Sequence, residues 1–480
     1  MPTALPASVP IPLCVDLDGT LLRTDLLWES ALDVVRREPL TVFALPVWLT
    51  RGRACLKAQL AARARIDVSR LPFNDELLDW LRAAYTEGRV LFLVTASDRA
   101  LAEKISGHLG IFAGVLASDG QTNLAGTAKA GRLVAQFGEN GFDYAANGAV
   151  DVAVWRQARS AVLVNASART RHRAGQVTSV SREFAPQASR GAALLRALRP
   201  HQWVKNLIVF VPLLTSHQLL SPSLVTTGLL AFAAFCLCAS AIYLANDVFD
   251  LEADRRHPAK QHRPFAAGAL PLTWALAGTP LLLVAGFALA LVVTPAFALV
   301  LACYAALAIA YSWRLKQTAL LDVLVLAALY TIRLIAGHAA TGVRYSEWLL
   351  AFSMFLFVSL ALVKRFQEIQ AQGALPATQW IPGRGYVPGD LGLLASFGAA
   401  SGYLSVMVMA LYVSSEQVRL LYRQPLLLLL ICPLLLYWIS RVWLHTHRGK
   451  MHDDPVVFAL KDRVSYAIGA GALGVIWLAT

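Results

Sequence analysis

Hydrophobic positions along the chain fall into two regimes. From residue 203 onward they gather into nine apolar segments, near 203–219, 223–246, 272–293, 295–313, 319–341, 347–363, 391–413, 425–444 and 464–479. Each is about long enough to cross a hydrocarbon core as a helix. Before residue 168 the apolar positions come as short β-type runs at 11–15, 90–94 and 161–164, separated by helical patterns. That alternation predicts a parallel α/β sheet. The expected organisation is a soluble unit over 1–168, a linker over 169–200 and a membrane region over 201–480. The linker is expected from its charge: Arg169, Arg171, Arg173, Arg182, Arg190, Arg196 and Arg199 stand against the single acid Glu183. Between the first two β-type runs lies a mainly helical insert. Its segment 39–49, with Arg51, Arg53 and Lys57 behind it, is amphipathic and basic. It suits either a buried cap helix or one lying on a bilayer surface.

Composition sharpens the membrane reading, since 57% of residues are hydrophobic and only 15% charged. With the N-terminal unit in the cytoplasm, the loops after even-numbered spans face inward. They hold fourteen Lys and Arg, among them Arg255, Arg256, Lys260, Lys316, Lys364 and Arg365, whereas the outward loops hold only Arg344, Arg419 and Arg423. This bias fits a cytoplasmic head on an inner membrane. The net charge of +13 suits anionic lipid and phosphorylated substrates. The later basic clusters lie between long apolar runs where no duplex reaches, so no nucleic-acid partner is expected. The six cysteines lack zinc-ligand or paired-bridge spacing and read as reduced core residues.

Two constellations carry chemistry. The first is Val15-Asp16-Leu17-Asp18-Gly19-Thr20 directly after an apolar run. This places two carboxylates at the carboxyl end of a strand, where α/β sheets bind ligands. Such a pair suits phosphoryl transfer, one acid attacking phosphorus and the other moving a proton. With Leu93-Val94-Thr95-Ala96-Ser97, Lys129 and Ala146-Asn147-Gly148-Ala149-Val150-Asp151 following in order, the head resembles the haloacid dehalogenase-like phosphatases. The resemblance implies a Rossmann-like fold with a helical cap. It also implies Asp16 as nucleophile and metal ligand, Asp18 as acid/base and metal ligand, and Thr95 and Lys129 as phosphate binders. Asn147 and Asp151 would complete a magnesium site, though many relatives carry Asp where Asn147 stands.

The second constellation is Asn246-Asp247-Val248-Phe249-Asp250-Leu251-Glu252-Ala253-Asp254 at the end of the second span. Acids at i, i+3 and i+7 share one helix face and repel in the absence of a cation. A magnesium ion bound to a diphosphate removes that conflict. Followed by Arg255, Arg256, His257, Lys260 and Arg263, the pattern resembles the UbiA-type prenyltransferase superfamily over residues about 196–480. That implies an all-α bundle of nine membrane helices, with Asn246, Asp247, Asp250 and Asp254 holding a donor pyrophosphate through magnesium. Relatives that prenylate aromatics carry a second acidic motif after the sixth span. Here stands Val363-Lys364-Arg365-Phe366-Gln367-Glu368. With Lys205-Asn206, Tyr311, Lys316, Asp322 and Arg333, this resembles the decaprenyl-phosphate phosphoribosyltransferase branch.

The branch implies phosphoribosyl pyrophosphate as donor and a polyprenyl phosphate as acceptor. Lys205, Asn206, Arg256, Lys260, Arg263, Lys316, Arg333, Lys364 and Arg365 are then phosphate-binding candidates. Two alternatives remain open: an aromatic polyprenyltransferase using a prenyl pyrophosphate, and a lipid carrier or transporter whose head is regulatory. Oligomeric state is not readable from the sequence.

Overall fold

In a computed structural model the described residues are 11–480 except 186–188, 374–375, 377, 382 and 452–453. The side chains at 417, 419, 420 and 460 are also outside the description, so the outward-loop reading of Arg419 is among those it does not address. The chain divides into two compact units, Met1–Leu198 with Tyr243–Gly278, and Arg199–Ile242 with Thr279–Thr480. The division falls inside the helix Pro222–Phe249, so the acidic motif counts with the head.

The first unit contains six parallel strands: β1 (Leu13–Val15), β2 (Leu91–Asp98), β3 (Gly114–Ser118), β4 (Asp143–Ala146), β5 (Ser160–Val164) and β6 (Ser179–Phe184). Their order is β3-β2-β1-β4-β5-β6. The chain winds outward from β1 to one side, then returns to β4 and winds to the other. The gap between β1 and β4 is therefore the topological switch point of the sheet. Val15 pairs with Leu93 and with Ala145, which brings the residues after β1, β2 and β4 to one level. Helices cover both faces: Leu13 and Val15 enter one core with Leu77, Leu93 and Ile105, while Cys14 enters the other with Tyr144, Trp155 and Leu163. Burial on both faces is why the strands read as continuous apolar runs.

The architecture is consistent with a Rossmann-like haloacid dehalogenase head. Helices Leu26–Arg37, Ala44–Thr50, Arg53–Arg63 and Asp75–Thr86 lie between β1 and β2 as the insert. Neither the turn Pro39–Phe43 nor the helix Ala44–Thr50 has a fully buried residue, so this segment lies on the surface of the insert, packed there through Leu45 and Trp48. The expected linker is also revised. Residues 169–200 are largely regular structure, with helix Ala168–Gly175, strand β6 and helix Arg190–Leu198. Strand β6 sets Ser179, Ser181 and Glu183 at alternate positions to Val180, Arg182 and Phe184, and its pairing with β5 overrides the basic composition.

The second unit is helical. Seven described helices are long and apolar enough to cross a membrane, Pro222–Phe249 among them. Among the described residues this is two fewer than the nine expected. The first expected segment folds as a 3-10 helix, Pro200–Phe210, followed by the short helix Val211–Thr215. Pro212 lacks the N–H that a continuous ladder needs there. The ninth, Arg463–Ala479, is an apolar helix of 17 residues, at the short end of what crosses a hydrocarbon core. The sixth outruns its expected end at 363, continuing as Glu347–Gln370, because Lys364 to Gln370 contains no Gly or Pro to stop it. Glycines let these helices approach closely. A Cβ on Gly398 would lie 1.9 Å from the Trp443 ring, and one on Gly337 would lie 2.2 Å from the Val209 carbonyl oxygen.

Candidate functional site

At the carboxyl edge of the head sheet, β1 delivers Asp16 and Asp18, β2 delivers Thr95 and Ser97, and the turn after β4 delivers Asp151. Lys129 projects from helix Thr127–Phe137 and is almost fully buried. Its ammonium donates to Asp16 Oδ1 at 2.7 Å and to the Tyr144 hydroxyl at 2.8 Å, and stands 3.8 Å from Asp151 Oδ1. Burial works against that charge, but Asp16 and Asp151 outweigh it and raise the lysine's pKa. The Asp18 carboxylate accepts from Ser97 Oγ at 2.6 Å, from the Leu26 amide at 2.8 Å and from Thr95 Oγ1 at 3.4 Å. Burial, with Asp25 nearby, still pushes Asp18 up to about 7. Burial and then Asp16 push Asp151 up to about 6. Gly19 has φ +75°, and a Cβ there would strike the Asn147 amide at 2.2 Å, so the fourth expected motif packs directly on the first. These acids line a cavity of about 480 Å³.

Thus Asp16, Asp18, Thr95, Lys129, Asn147 and Asp151 converge as the sequence implied. Ser97 and Asp25 were not anticipated. Among the described residues no group of three or more His, Cys, Asp and Glu is set for a metal ion. Magnesium characteristically takes only one or two carboxylates together with water and phosphate oxygens. The surplus of buried carboxyls over the one ammonium fits that donor set.

The acidic motif begins on helix Pro222–Phe249 and continues across Asp250 into helix Leu251–Arg256. Amide bonds from Asp250 to Asn246 and from Asp254 to Asp250 keep the helical course. Asp247 and Asp254 are both buried and share one cation: Arg263 donates to Asp247 Oδ1 at 3.4 Å and to Asp254 Oδ2 at 2.6 Å. Their repulsion is therefore already eased by an arginine, which the sequence reading had reserved for phosphate. Arg256 pairs with Glu252, and Lys260 is exposed. Arg255, unassigned from sequence, forms a buried ion pair at 2.6 Å with Glu29 of the same unit. Carboxylates of this kind beside Asn246 are the oxygen donors that magnesium takes together with phosphate oxygens.

In the second unit the cations separate into three groups. Lys205, buried, donates to Asp454 Oδ2 at 2.7 Å; Lys364 stands 3.7 Å from the same oxygen, and Tyr330 donates to Asp454 Oδ1 at 3.2 Å. Burial would raise Asp454, but Lys205 and Lys364 outweigh it and bring it to about 2. Beside this group Arg333 donates to Asn206 Oδ1 at 2.9 Å and to the Tyr304 hydroxyl at 3.0 Å. Arg365 belongs elsewhere: it is 0% exposed and paired at 2.5 Å with Asp322, also 0% exposed, and with Glu368. The Tyr386 hydroxyl donates to Asp322 Oδ1 at 2.6 Å. Asp322 and Arg333, on one helix, thus enter different networks. Lys316 sits apart in the turn Leu315–Gln317. Asp454 went unnoticed in the sequence, although an Asp immediately before Pro455 marks a helix start.

An acid-bearing α/β head on the same chain as a helical region with several candidate membrane spans defines a class: an integral membrane protein with a Rossmann-like head. The chain belongs to the UbiA prenyltransferase family, whose model matches residues 207–461. It is 39% identical over 96% of its length to the uncharacterized protein y4nM of Sinorhizobium fredii, covering 89% of that protein. Nodulation protein NoeC of Azorhizobium caulinodans is 36% identical over 59% of the chain and 92% of its own length. The decaprenyl-phosphate phosphoribosyltransferase of Mycolicibacterium smegmatis is 40% identical over 37% of the chain. The match covers 58% of that enzyme, little more than half of it.

Proposed function

We propose that the membrane region transfers a phosphoribosyl group from phosphoribosyl pyrophosphate to a polyprenyl phosphate at the cytoplasmic side of the inner membrane, and that the head is a phosphomonoesterase acting on the phosphorylated product. One observation carries the choice of donor and acceptor. Buried Lys205 and partly buried Lys364 share the carboxylate of Asp454, with buried Arg333 beside them. A buried surplus of positive charge is costly without an anion, and a phosphate ester supplies one. The aromatic alternative brings a single diphosphate, which the acidic motif would take, whereas a phosphoribosyl donor and a polyprenyl phosphate bring further phosphates for these cations. The 40% identity with a decaprenyl-phosphate phosphoribosyltransferase points the same way.

In the transfer, the bond from the anomeric carbon to the pyrophosphate oxygen breaks and a lipid phosphate oxygen forms the new bond. Bound magnesium supplies charge neutralisation for the departing pyrophosphate. Asp247, Asp250 and Asp254, with Asn246, would hold that metal and, through it, the diphosphate, and Arg263 limits the repulsion between Asp247 and Asp254. Lys205, Lys364 and Arg333 hold phosphate oxygens in a low-dielectric setting where each contact is strengthened.

In the head, an Asp16 oxygen attacks phosphorus and the ester P–O bond breaks. Asp18, raised to about 7, carries the proton that the leaving alkoxide needs. Water then cleaves the aspartyl phosphate, with Asp18 taking its proton back. Lys129 and Thr95 steady the phosphoryl oxygens.

The test is a radiolabel assay with purified protein in lipid nanodiscs, offering phosphoribosyl pyrophosphate or polyprenyl pyrophosphate with each acceptor in turn. Label moving from phosphoribosyl pyrophosphate to polyprenyl phosphate is the expected result. Transfer only from polyprenyl pyrophosphate to an aromatic acid overturns the proposal, and no transfer from either donor returns the membrane region to a carrier role. Release of inorganic phosphate from the lipid product should vanish in Asp16→Asn.

A further inference from the structure

The insert between β1 and β2 exposes an unusual surface. Along Pro39–Thr50 the side chains of Leu40, Phe43 and Val47 are 80%, 75% and 52% exposed, joined by Val42 and Leu49. The opposite side is anchored, because Leu45 and Trp48 pack on the small core of Val34, Leu60 and Ala64. The apolar face is therefore held outward by the fold. An exposed apolar patch of this kind marks an interaction surface.

Charge says what covers it. From residue 39 to 65 the chain holds Arg51, Arg53, Lys57, Arg63 and Arg65 and no acid. Glu38 stands at the start of the segment, where it accepts from Thr41, but the five cations that follow leave the region net positive; apolar side chains in such a basic stretch match an anionic bilayer surface, and the same polypeptide carries membrane spans. The patch also adjoins the head's chemistry. Leu49, at its end, lines the acid-bearing cavity together with Trp28, Leu56, Arg53 and Lys57. One wall of the cavity is thus apolar and cationic, while its floor bears Asp16 and Asp18.

We propose that the segment Pro39–Thr50 seats Leu40, Val42, Phe43 and Val47 in the bilayer interface, and that the head's cavity takes a phosphomonoester carried on a lipid directly from that surface. The second half rests on the phosphatase reading of the head; the docking half does not. Leu49 and Trp28 receive the first apolar units next to the phosphate-bearing group, and Arg53 and Lys57 offset its charge.

The experiment uses the full chain in nanodiscs containing anionic lipid. A photoreactive p-benzoylphenylalanine placed at position 43 or 47 should crosslink lipid, while the same group at exposed position 87 should not. Crosslinks to protein, in the same chain or a second copy, would overturn the docking. In parallel, a triple variant Leu40→Glu, Phe43→Glu, Val47→Glu is assayed on p-nitrophenyl phosphate and on a polyprenyl phosphoribosyl phosphate embedded in the nanodisc. Hydrolysis of the soluble ester should be unchanged, which also reports that the head is folded. Hydrolysis of the lipid ester should fall about tenfold or more as the effective concentration gained by docking is lost. Equal activity of variant and parent on the lipid overturns the delivery role. If the parent hydrolyses neither ester, the phosphatase reading fails, and the lipid crosslinks alone decide the docking.

Discussion

Replacing Arg365 by Met asks whether this arginine holds the helices together or binds a substrate phosphate. Its guanidinium is fully buried and pairs with Asp322, itself fully buried, and with Glu368. Removing it leaves the Asp322 carboxylate with the Tyr386 hydroxyl as its remaining strong partner. Stripping one member from a buried ion pair costs about 3–5 kcal/mol, chiefly because the orphaned charge stays buried. For a folding unit of this size each kcal/mol shifts the midpoint by about 2–4 °C, so the loss should be about 10 °C. Thermal unfolding in detergent, followed by tryptophan fluorescence, measures it. Adding Asp322→Asn to Arg365→Met removes the orphaned charge and should restore at least half the loss, a coupling that a double-mutant cycle isolates. Lys364→Met, one residue earlier, should behave oppositely. It should retain most thermal stability yet weaken donor or acceptor binding, because Lys364 shares Asp454 with Lys205. The reasoning is refuted if Arg365→Met melts with the parent while raising the KM for the phosphorylated donor.

Three further outcomes are expected. Asp250→Asn should lower magnesium-dependent transfer by about 10²-fold or more, the scale of losing a main electrostatic contact; Glu252→Gln, which loosens exposed pairs with Arg256 and Arg36, should leave the rate near that of the parent. In metal-free protein the head should lose stability as pH rises through the window from about 4 to about 7. The folded-state pKa values of Asp18 and Asp151, raised to about 7 and about 6, mean that the folded state binds more protons there than the unfolded chain. A melting transition that is flat or rises over that window contradicts the burial argument. Gly398→Ala should destabilise by about 1–3 kcal/mol, since its new methyl must displace the Trp443 ring, whereas Gly392→Ala meets open space and should be neutral or slightly stabilising.

What could be read along the chain was whatever depends on neighbours in sequence. Asp16 and Asp18 follow an apolar run, and a run buried on both faces of a parallel sheet has to be apolar, so the position of the acids at the strand end was legible. The acids at 247, 250 and 254 carry the helical period, and the helical course across Asp250 agrees with it. Membrane character came from segment length and apolarity. Segment length alone could not show a proline turning 203–219 into a 3-10 stretch and a short helix.

Partnership was decided in three dimensions. Lys364 and Arg365 are adjacent and chemically alike, yet one shares Asp454 with Lys205 and the other is spent on Asp322, because successive residues on a helix point about 100° apart. Arg263 looked like a phosphate ligand and instead bridges Asp247 and Asp254. Asp454, nearly 250 positions from Lys205, had no local pattern that named its partner. A basic composition over 169–200 concealed β6, whose place follows from the open edge of β5. The strength of a charge pair depends on distance and on the water excluded around it, and neither quantity is a property of a residue and its sequence neighbours.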